Sequence, residues 1–115
     1  MPKLSVTGIS ELEKKLKANV TLDDVKRVVR HNGANLQKLM QNKADFTQGY
    51  QTGATKGSIG LEIEDGGFAA AVGPKTDHSP YVEYGTRFMQ AQPFVRPALY
   101  EQEIKFKSDM QKLVR

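Results

Sequence analysis

The chain of 115 residues contains no cysteine, which excludes disulfide bonds, thiolate catalysis and cysteine-ligated zinc. No apolar run approaches the length of about 18 residues that a membrane-spanning helix requires. The first residues, MPKLSVTG, lack the apolar stretch of a secretory signal. We therefore expect a single domain, residues 1–115, that is made and used from the cytosol, has no membrane partner and gains its stability from packing or oligomerisation.

Sequence patterns for catalysis, metal binding and phosphate binding are also missing. Asp77, His78 and Ser79 include the residue types of a hydrolase triad, but consecutive side chains do not converge on one point as a triad requires. His31, His78, Asp77 and Glu83 show no H-x-x-x-H spacing, and the phosphate-binding pattern G-x-x-x-x-G-K-[ST] is absent. The sequence predicts no catalytic residues, no metal site, no cofactor and hence no enzyme.

The charge is moderately basic. Seventeen lysines and arginines against thirteen aspartates and glutamates give a net charge of +4, which permits contact with nucleic acid or with an acidic protein. Lys26, Arg27, Arg30 and Lys38 form a basic stripe on a predicted helix. This stripe has two explanations, a solvated helix face or a surface that faces nucleic acid.

Apolar spacing predicts the helices. A long helix from about 21 to 42 begins at Thr21, and a close crossing of another backbone would explain Gly33 in its middle. A brief helix is expected after an N-cap at Ser10. Pro97 opens a C-terminal helix from about 97 to 113, from whose apolar stripe Ile104 is displaced. That stripe consists of Val95, Leu99, Phe106, Met110 and Leu113.

A β-hairpin is predicted at about 58–73, where apolar and polar residues alternate on both sides of Asp65-Gly66. A two-residue type I′ turn there would place apolar residues on one face of the sheet. The expected pairs are Ile63 with Phe68, Leu61 with Ala70 and Ile59 with Val72. Together with a short first strand around Leu4, this predicts an α+β fold, a small antiparallel sheet packed against the long helix and the C-terminal helix.

Two segments lack a regular period. Residues 44–58 predict a long loop around Phe46, Tyr50 and Lys56, which is either surface slack or a loop that binds a partner. Residues 78–99, HSPYVEYGTRFMQAQPFVRPAL, concentrate aromatic residues that either fill the core or lie at a protein interface. The interface candidates of this second segment are Tyr81, Glu83, Tyr84, Arg87, Phe88, Phe94 and Arg96.

The pattern Y-V-E-Y-G-T-R followed by A-Q-P-F-V-R-P-A-L resembles the HK97 gp10-like family of tailed-bacteriophage head-tail joining and tail completion proteins. Thr52-Gly53 and Ser58-Ile59 resemble that family's T-G-x-L-x-x-S-I element, although Thr55 replaces the usual Leu.

The resemblance implies a structural virion protein of the neck or tail, assembled in the host bacterial cytoplasm as a hexameric ring around the DNA channel. Its implied partners are copies of itself, the neck or connector, tail terminator or tail tube proteins, and genomic DNA passing without sequence specificity. The alternative from composition is a small basic nucleic-acid-binding module without enzymatic activity.

Overall fold

A computed structural model describes residues 2–45, 59–74 and 94–115 of the chain. These residues form three α-helices, one short 3-10 turn and a three-stranded antiparallel sheet, so the predicted α+β class is confirmed. Residues 44 and 45, expected to begin a loop, continue the long helix, and the rest of that loop lies outside the described residues. The elements in chain order are β1 (Lys3–Ser5), α1 (Ile9–Lys15), α2 (Leu22–Asp45), β2 (Ile59–Glu64), the 3-10 turn (Asp65–Gly67), β3 (Ala69–Pro74) and α3 (Val95–Gln111).

The sheet has the order β1-β3-β2, so the second strand of the hairpin is the central strand. Both neighbours of β3 run antiparallel to it. The hairpin exists as predicted, but the predicted register is wrong by two residues. The observed pairs are Ile63 with Ala70, Leu61 with Val72 and Ile59 with Pro74.

The register differs because the connection has four residues, 65–68, rather than two. Asp65 and Gly66 do adopt positive φ values of 53° and 66°, as a type I′ turn requires, but Gly67 follows with a φ of 107°. Phe68 therefore stays outside the strand, where its carbonyl accepts a 2.8 Å hydrogen bond from the Val6 amide. A shift of two residues preserves which face each side chain occupies, so the predicted apolar face survives.

Helix α2 packs against this apolar face with Gly33 at the closest point. A Cβ atom added at Gly33 would lie 2.8 Å from the Cβ of Ala70 and 3.0 Å from Cδ1 of Leu61. Such distances are shorter than van der Waals contact, so only glycine lets the helix come this near to the sheet. The close approach expected from this glycine is confirmed.

Helix α3 packs against α2 and begins at Val95, two residues before Pro97. Its most buried positions are Ala98, Gln102 and Phe106, spaced four residues apart. The predicted stripe is therefore wrong at its centre, where a small residue and an amide occupy the buried positions. Val95, Leu99 and Met110 are only partly buried beside the core. The core consists of Leu4, Val29, Leu36, Met40, Ala44, Ile59, Ala70, Val72, Phe94, Ala98 and Phe106.

Helix α1 begins two residues earlier than predicted, at Ile9. Its N-cap is Gly8, which has a left-handed conformation, and not Ser10. The helix ends at Lys15, and Leu16 then forms an isolated antiparallel bridge with Val114 near the C-terminal end of α3. We call this bridge the terminal clasp. The clasp buries Leu16, which is 9% exposed.

Candidate interaction groove between helix α2 and the hairpin

A groove of about 460 Å³ lies between the first turns of α2 and the tip of the hairpin. The groove forms because α2 crosses the sheet at Gly33, and the part of α2 before Gly33 then runs along the glycine-rich tip of the hairpin. Helix α2 supplies charged side chains, and the hairpin supplies an apolar residue and two glycines. The lining residues are Asp23, Lys26, Arg27, Arg30, Ile63, Gly66 and Gly67.

The aliphatic part of Lys26 rests on the hairpin tip. A Cβ added at Gly67 would lie 2.9 Å from Cδ of Lys26, and Gly67 has a φ of 107°, so both space and backbone favour glycine here. The Lys26 ammonium lies 5.2 Å from the centroid of the Phe68 ring, within the range of a cation–π contact. The hairpin tip therefore holds this cation at the groove.

Two arginines provide the remaining positive charge. Arg27 Nη1 lies 3.5 Å from Oδ1 of Asp24, while 72% of the arginine side chain is exposed. Asp24 also caps the helix, since its Oδ2 accepts a 2.8 Å hydrogen bond from the Thr21 amide. Arg30 is exposed and forms no ion pair with the described part of the chain. The groove thus presents three cations against one lining carboxylate, that of Asp23.

Ile63 brings an apolar surface into this basic environment. The sequence pattern predicted Ile63 on the buried face of the hairpin, and it does share that face with Leu61. Its side chain is nevertheless 46% exposed, because β2 is an outer strand of the sheet and α2 does not fully cover it. The groove can therefore offer apolar contact and ionic hydrogen bonds to the same occupant.

Three of the four residues predicted to face nucleic acid come together here, namely Lys26, Arg27 and Arg30. Lys38 does not line the groove, because it lies eight residues beyond Arg30, about 12 Å along the helix axis. The alternation of apolar and polar residues predicts which face of the sheet a side chain occupies, but not how fully the helix covers that side chain. The sequence therefore did not distinguish Ile63 from the buried residues of its strand.

Most of the predicted interface residues lie outside the described residues: Phe46, Tyr50, Lys56, Tyr81, Glu83, Tyr84, Arg87 and Phe88. Phe94, directly before α3, is only 2% exposed and belongs to the core, so its side chain offers no surface to a partner. Arg96 is exposed on the first turn of α3.

The outer surface of α3 carries two further exposed apolar residues. Tyr100 is 57% exposed and Ile104 is 73% exposed. Their spacing of four residues, together with Arg96, places them on one side of the helix. The predicted displacement of Ile104 from the buried stripe is confirmed, while sequence alone did not single out Tyr100.

The described residues contain no cluster of three histidine, cysteine, aspartate or glutamate side chains that could hold a metal ion. His31 lies on the exposed side of α2, where Nε2 is 3.3 Å from Nδ2 of Asn35. The Asp77-His78-Ser79 sequence lies outside the described part of the chain. None of the described helices is long and apolar enough to cross a membrane.

Comparison with protein families gives a match over most of the chain. The model described as "Bacteriophage HK97-gp10, putative tail-component" matches residues 9–85, which is more than half of the chain. Comparison with curated proteins and with solved structures gave no match.

Proposed function

Because the chain belongs to the HK97 gp10-like family of phage tail components, we propose that it completes the tail or joins it to the head in the virion. Family membership is the observation that carries this proposal. A tail component is a structural part of the particle, which argues against an enzyme and for a location in the virion. Assembly in the host bacterial cytoplasm and a final position in the neck or tail complete the proposal.

The proposed form in the particle is a homo-oligomeric ring, six-fold, around the channel for DNA. A closed ring requires two different surfaces on each subunit, because heterologous contacts join one patch to another. The outer surface of α3, with Arg96, Tyr100 and Ile104, supports this proposal as one such patch, since Tyr and Arg are enriched at interfaces. The segments 46–56 and 81–93 remain proposed contacts of the ring.

The proposed neighbours are the connector, the tail terminator and the tail tube proteins. DNA passing through the ring must not be held tightly. A net charge of +4 on each subunit is compatible with weak, non-specific contact with DNA.

Deletion of the gene in its parent phage or prophage tests this function directly. Negative-stain electron microscopy of the induced lysate should show filled heads beside separate or malformed tails. The shape of the free tail end would indicate on which side the protein acts. Normal infectious particles would refute the structural function.

A small nucleic-acid-binding module is the second candidate, favoured by a specific feature of the fold. The terminal clasp brings exposed cations from the end of α1, from the residues just after it and from the C-terminal end into one region. Its hydrogen bonds run from the Lys17 amide to the Leu113 carbonyl and from the Arg115 amide to the Lys15 carbonyl. Retention on a DNA column that falls steeply with salt would favour this candidate. The cations are Lys14, Lys15, Lys17, Lys112 and Arg115.

A further inference from the structure

We propose that the groove between α2 and the hairpin tip docks an acidic segment of another virion protein, with an apolar side chain of that segment against Ile63. The inference rests on the proposed function in one respect, because the partner is taken to be another protein of the particle. It assigns the basic residues Lys26, Arg27 and Arg30 to a protein partner and not to DNA.

The positive charge of the groove favours an acidic occupant. Lys26, Arg27 and Arg30 surround the groove, and Asp23 is the one carboxylate in its lining. Arginine forms bidentate hydrogen bonds with carboxylates, so an acidic side chain near Arg30 gains both charge neutralisation and directional bonding. Cation–π contact with Phe68 holds Lys26 in place beforehand, which reduces the entropy lost on binding.

Ile63 distinguishes a protein from DNA as the occupant. Phosphates and sugars of a DNA backbone present charge and polarity, and contacts with them do not require an apolar residue among the cations. Ile63 keeps 46% of its surface exposed within the groove lining. A partner segment with an apolar side chain beside a carboxylate would contact Ile63 and the groove cations together. Protein interfaces combine an apolar centre with a polar rim in the same way.

A second copy of this chain is a poorer occupant. The other exposed large apolar residues of the described chain are Tyr100 and Ile104. They share the outer side of α3 with Arg96, Lys107 and one carboxylate, Glu103, so that side has a net positive charge. Docking that basic surface into a basic groove would bring like charges together.

The groove and the outer surface of α3 face different directions. Arg30 lies about 160° around α2 from Asn32, which contacts α3, and Ile104 lies about 160° around α3 from Gln102, which contacts α2. Both surfaces can therefore be occupied at once. A ring contact through α3 would leave the groove open to a different protein.

The first experiment complements the deleted phage gene with variants of the full chain. Arg30→Glu reverses one groove cation, Ile63→Ser removes the apolar contact, and Lys38→Glu makes the same charge change on α2 outside the groove. We expect the first two variants to lower the infectious titre by roughly tenfold or more, and the third to complement fully. Circular dichroism melting of each purified variant establishes that it folds.

Two outcomes overturn the inference while the proposed function stands. Full complementation by both Arg30→Glu and Ile63→Ser would show that assembly does not use the groove. Normal complementation by Ile63→Ser, with Lys38→Glu as harmful as Arg30→Glu, would assign the basic surface to DNA. Normal particles without the gene would instead refute the proposed function. The binding measurement below would then decide whether the groove docks an acidic segment.

The binding measurement uses fluorescence anisotropy with two probes, a short peptide of alternating glutamate and leucine and a DNA duplex of random sequence. We expect Ile63→Ser and Arg30→Glu to weaken peptide binding about tenfold, Lys38→Glu to leave it unchanged, and Ile63→Ser to leave duplex binding unchanged. The inference would be overturned if the unmodified protein did not bind the peptide, or if Ile63→Ser left the affinity for the peptide unchanged.

Discussion

Gln102 on α3 donates a 2.6 Å hydrogen bond from Nε2 to Oδ1 of Asn32 on α2, and both side chains are fully buried. Asn32 Nδ2 also donates to the Val28 carbonyl at 2.9 Å and to Oδ2 of Asp109 at 3.1 Å. The amide pair thus joins the two helices inside their buried contact, while the ion pair of Lys43 with Glu101 joins them at the surface. Because its partner groups occupy fixed positions, the pair restricts how far α3 can slide or rotate on α2.

The amide pair predicts a non-additive response to mutation. Asn32→Leu should lower the free energy of unfolding by about 1 to 3 kcal/mol, because it leaves the buried Nε2 of Gln102 without an acceptor. The double variant Asn32→Leu/Gln102→Leu should recover much of that loss. Urea unfolding of the single and double variants measures the coupling. The prediction would be wrong if the losses in free energy of unfolding of the two single variants simply added in the double variant.

Gly33 predicts a second response, in which a better helix former destabilises the protein. Gly33→Ala gains about 1 kcal/mol of helix propensity but should still lower stability by about 1 to 3 kcal/mol, since its Cβ would lie 2.8 Å from that of Ala70. Adding Ala70→Gly should restore part of the loss by opening space. Thermal unfolding of the single and double variants checks this, with Asn35→Ala on the same helix as control. A more stable Gly33→Ala variant would refute the close packing.

The pairing of Lys3 with Glu64 predicts a pH effect at the alkaline end. Nζ of Lys3 lies 2.7 Å from Oε1 of Glu64, linking the two outer strands across β3. The hydrogen bond and charge of Glu64 raise the pKa of Lys3 above its ordinary value of 10.5. A raised folded-state pKa adds stability that is fully present below pH 10.5 and is lost as the pH rises through the folded-state value.

Thermal unfolding of the unmodified protein and of Lys3→Gln measures this contribution. The difference in melting temperature should be small at neutral pH, because the pair is solvent-exposed, and should shrink further with added salt. It should vanish at a pH above the folded-state pKa of Lys3. Lys38→Gln on α2 serves as the matched control. A difference that persists unchanged through the alkaline range would show that Lys3 acts through packing and not through its charge.

The terminal clasp predicts local rather than general loosening. Leu16→Ala should lower the free energy of unfolding by about 2 to 3 kcal/mol, because Leu16 is 9% exposed. Amide hydrogen exchange should increase at Lys17 and Arg115, whose amides bond across the clasp, while α2 stays protected. Leu12→Ala, at a half-buried position of α1, is the control. Unchanged exchange at Lys17 would show that the clasp does not depend on this side chain.

Much of the fold was predictable where local pattern and tertiary packing agree. The stripe of α2 and the alternation of β2 and β3 each follow from burial of one face, and the glycine at position 33 correctly indicated a close neighbour. Prediction failed at the hairpin tip because Phe68 contacts Lys26 and Val6, residues far away in the sequence, and a local turn pattern contains neither contact. It failed at the centre of α3 because a buried glutamine is recognisable only with its partner Asn32.

The candidate groove was only half predictable. The basic residues of α2 were evident from their spacing, but the exposure of Ile63 depends on where α2 stops covering β2. That limit is a property of how the helix lies on the sheet, and no local pattern contains it. The same reason conceals the terminal clasp, because Leu16 and Val114 are at opposite ends of the chain.

The four-residue tip of the hairpin indicates which length changes this family can accommodate during evolution. The connection 65–68 is two residues longer than the shortest turn, yet Ile59 and Leu61 still face α2. A shift of the strand pairing by one residue would turn every side chain of one strand to the opposite face, whereas a shift by two would not. Homologous hairpins can therefore differ in tip length where the strand pairing keeps this apolar face, and a pairing shifted by one residue should coincide with a bulge in one of the strands.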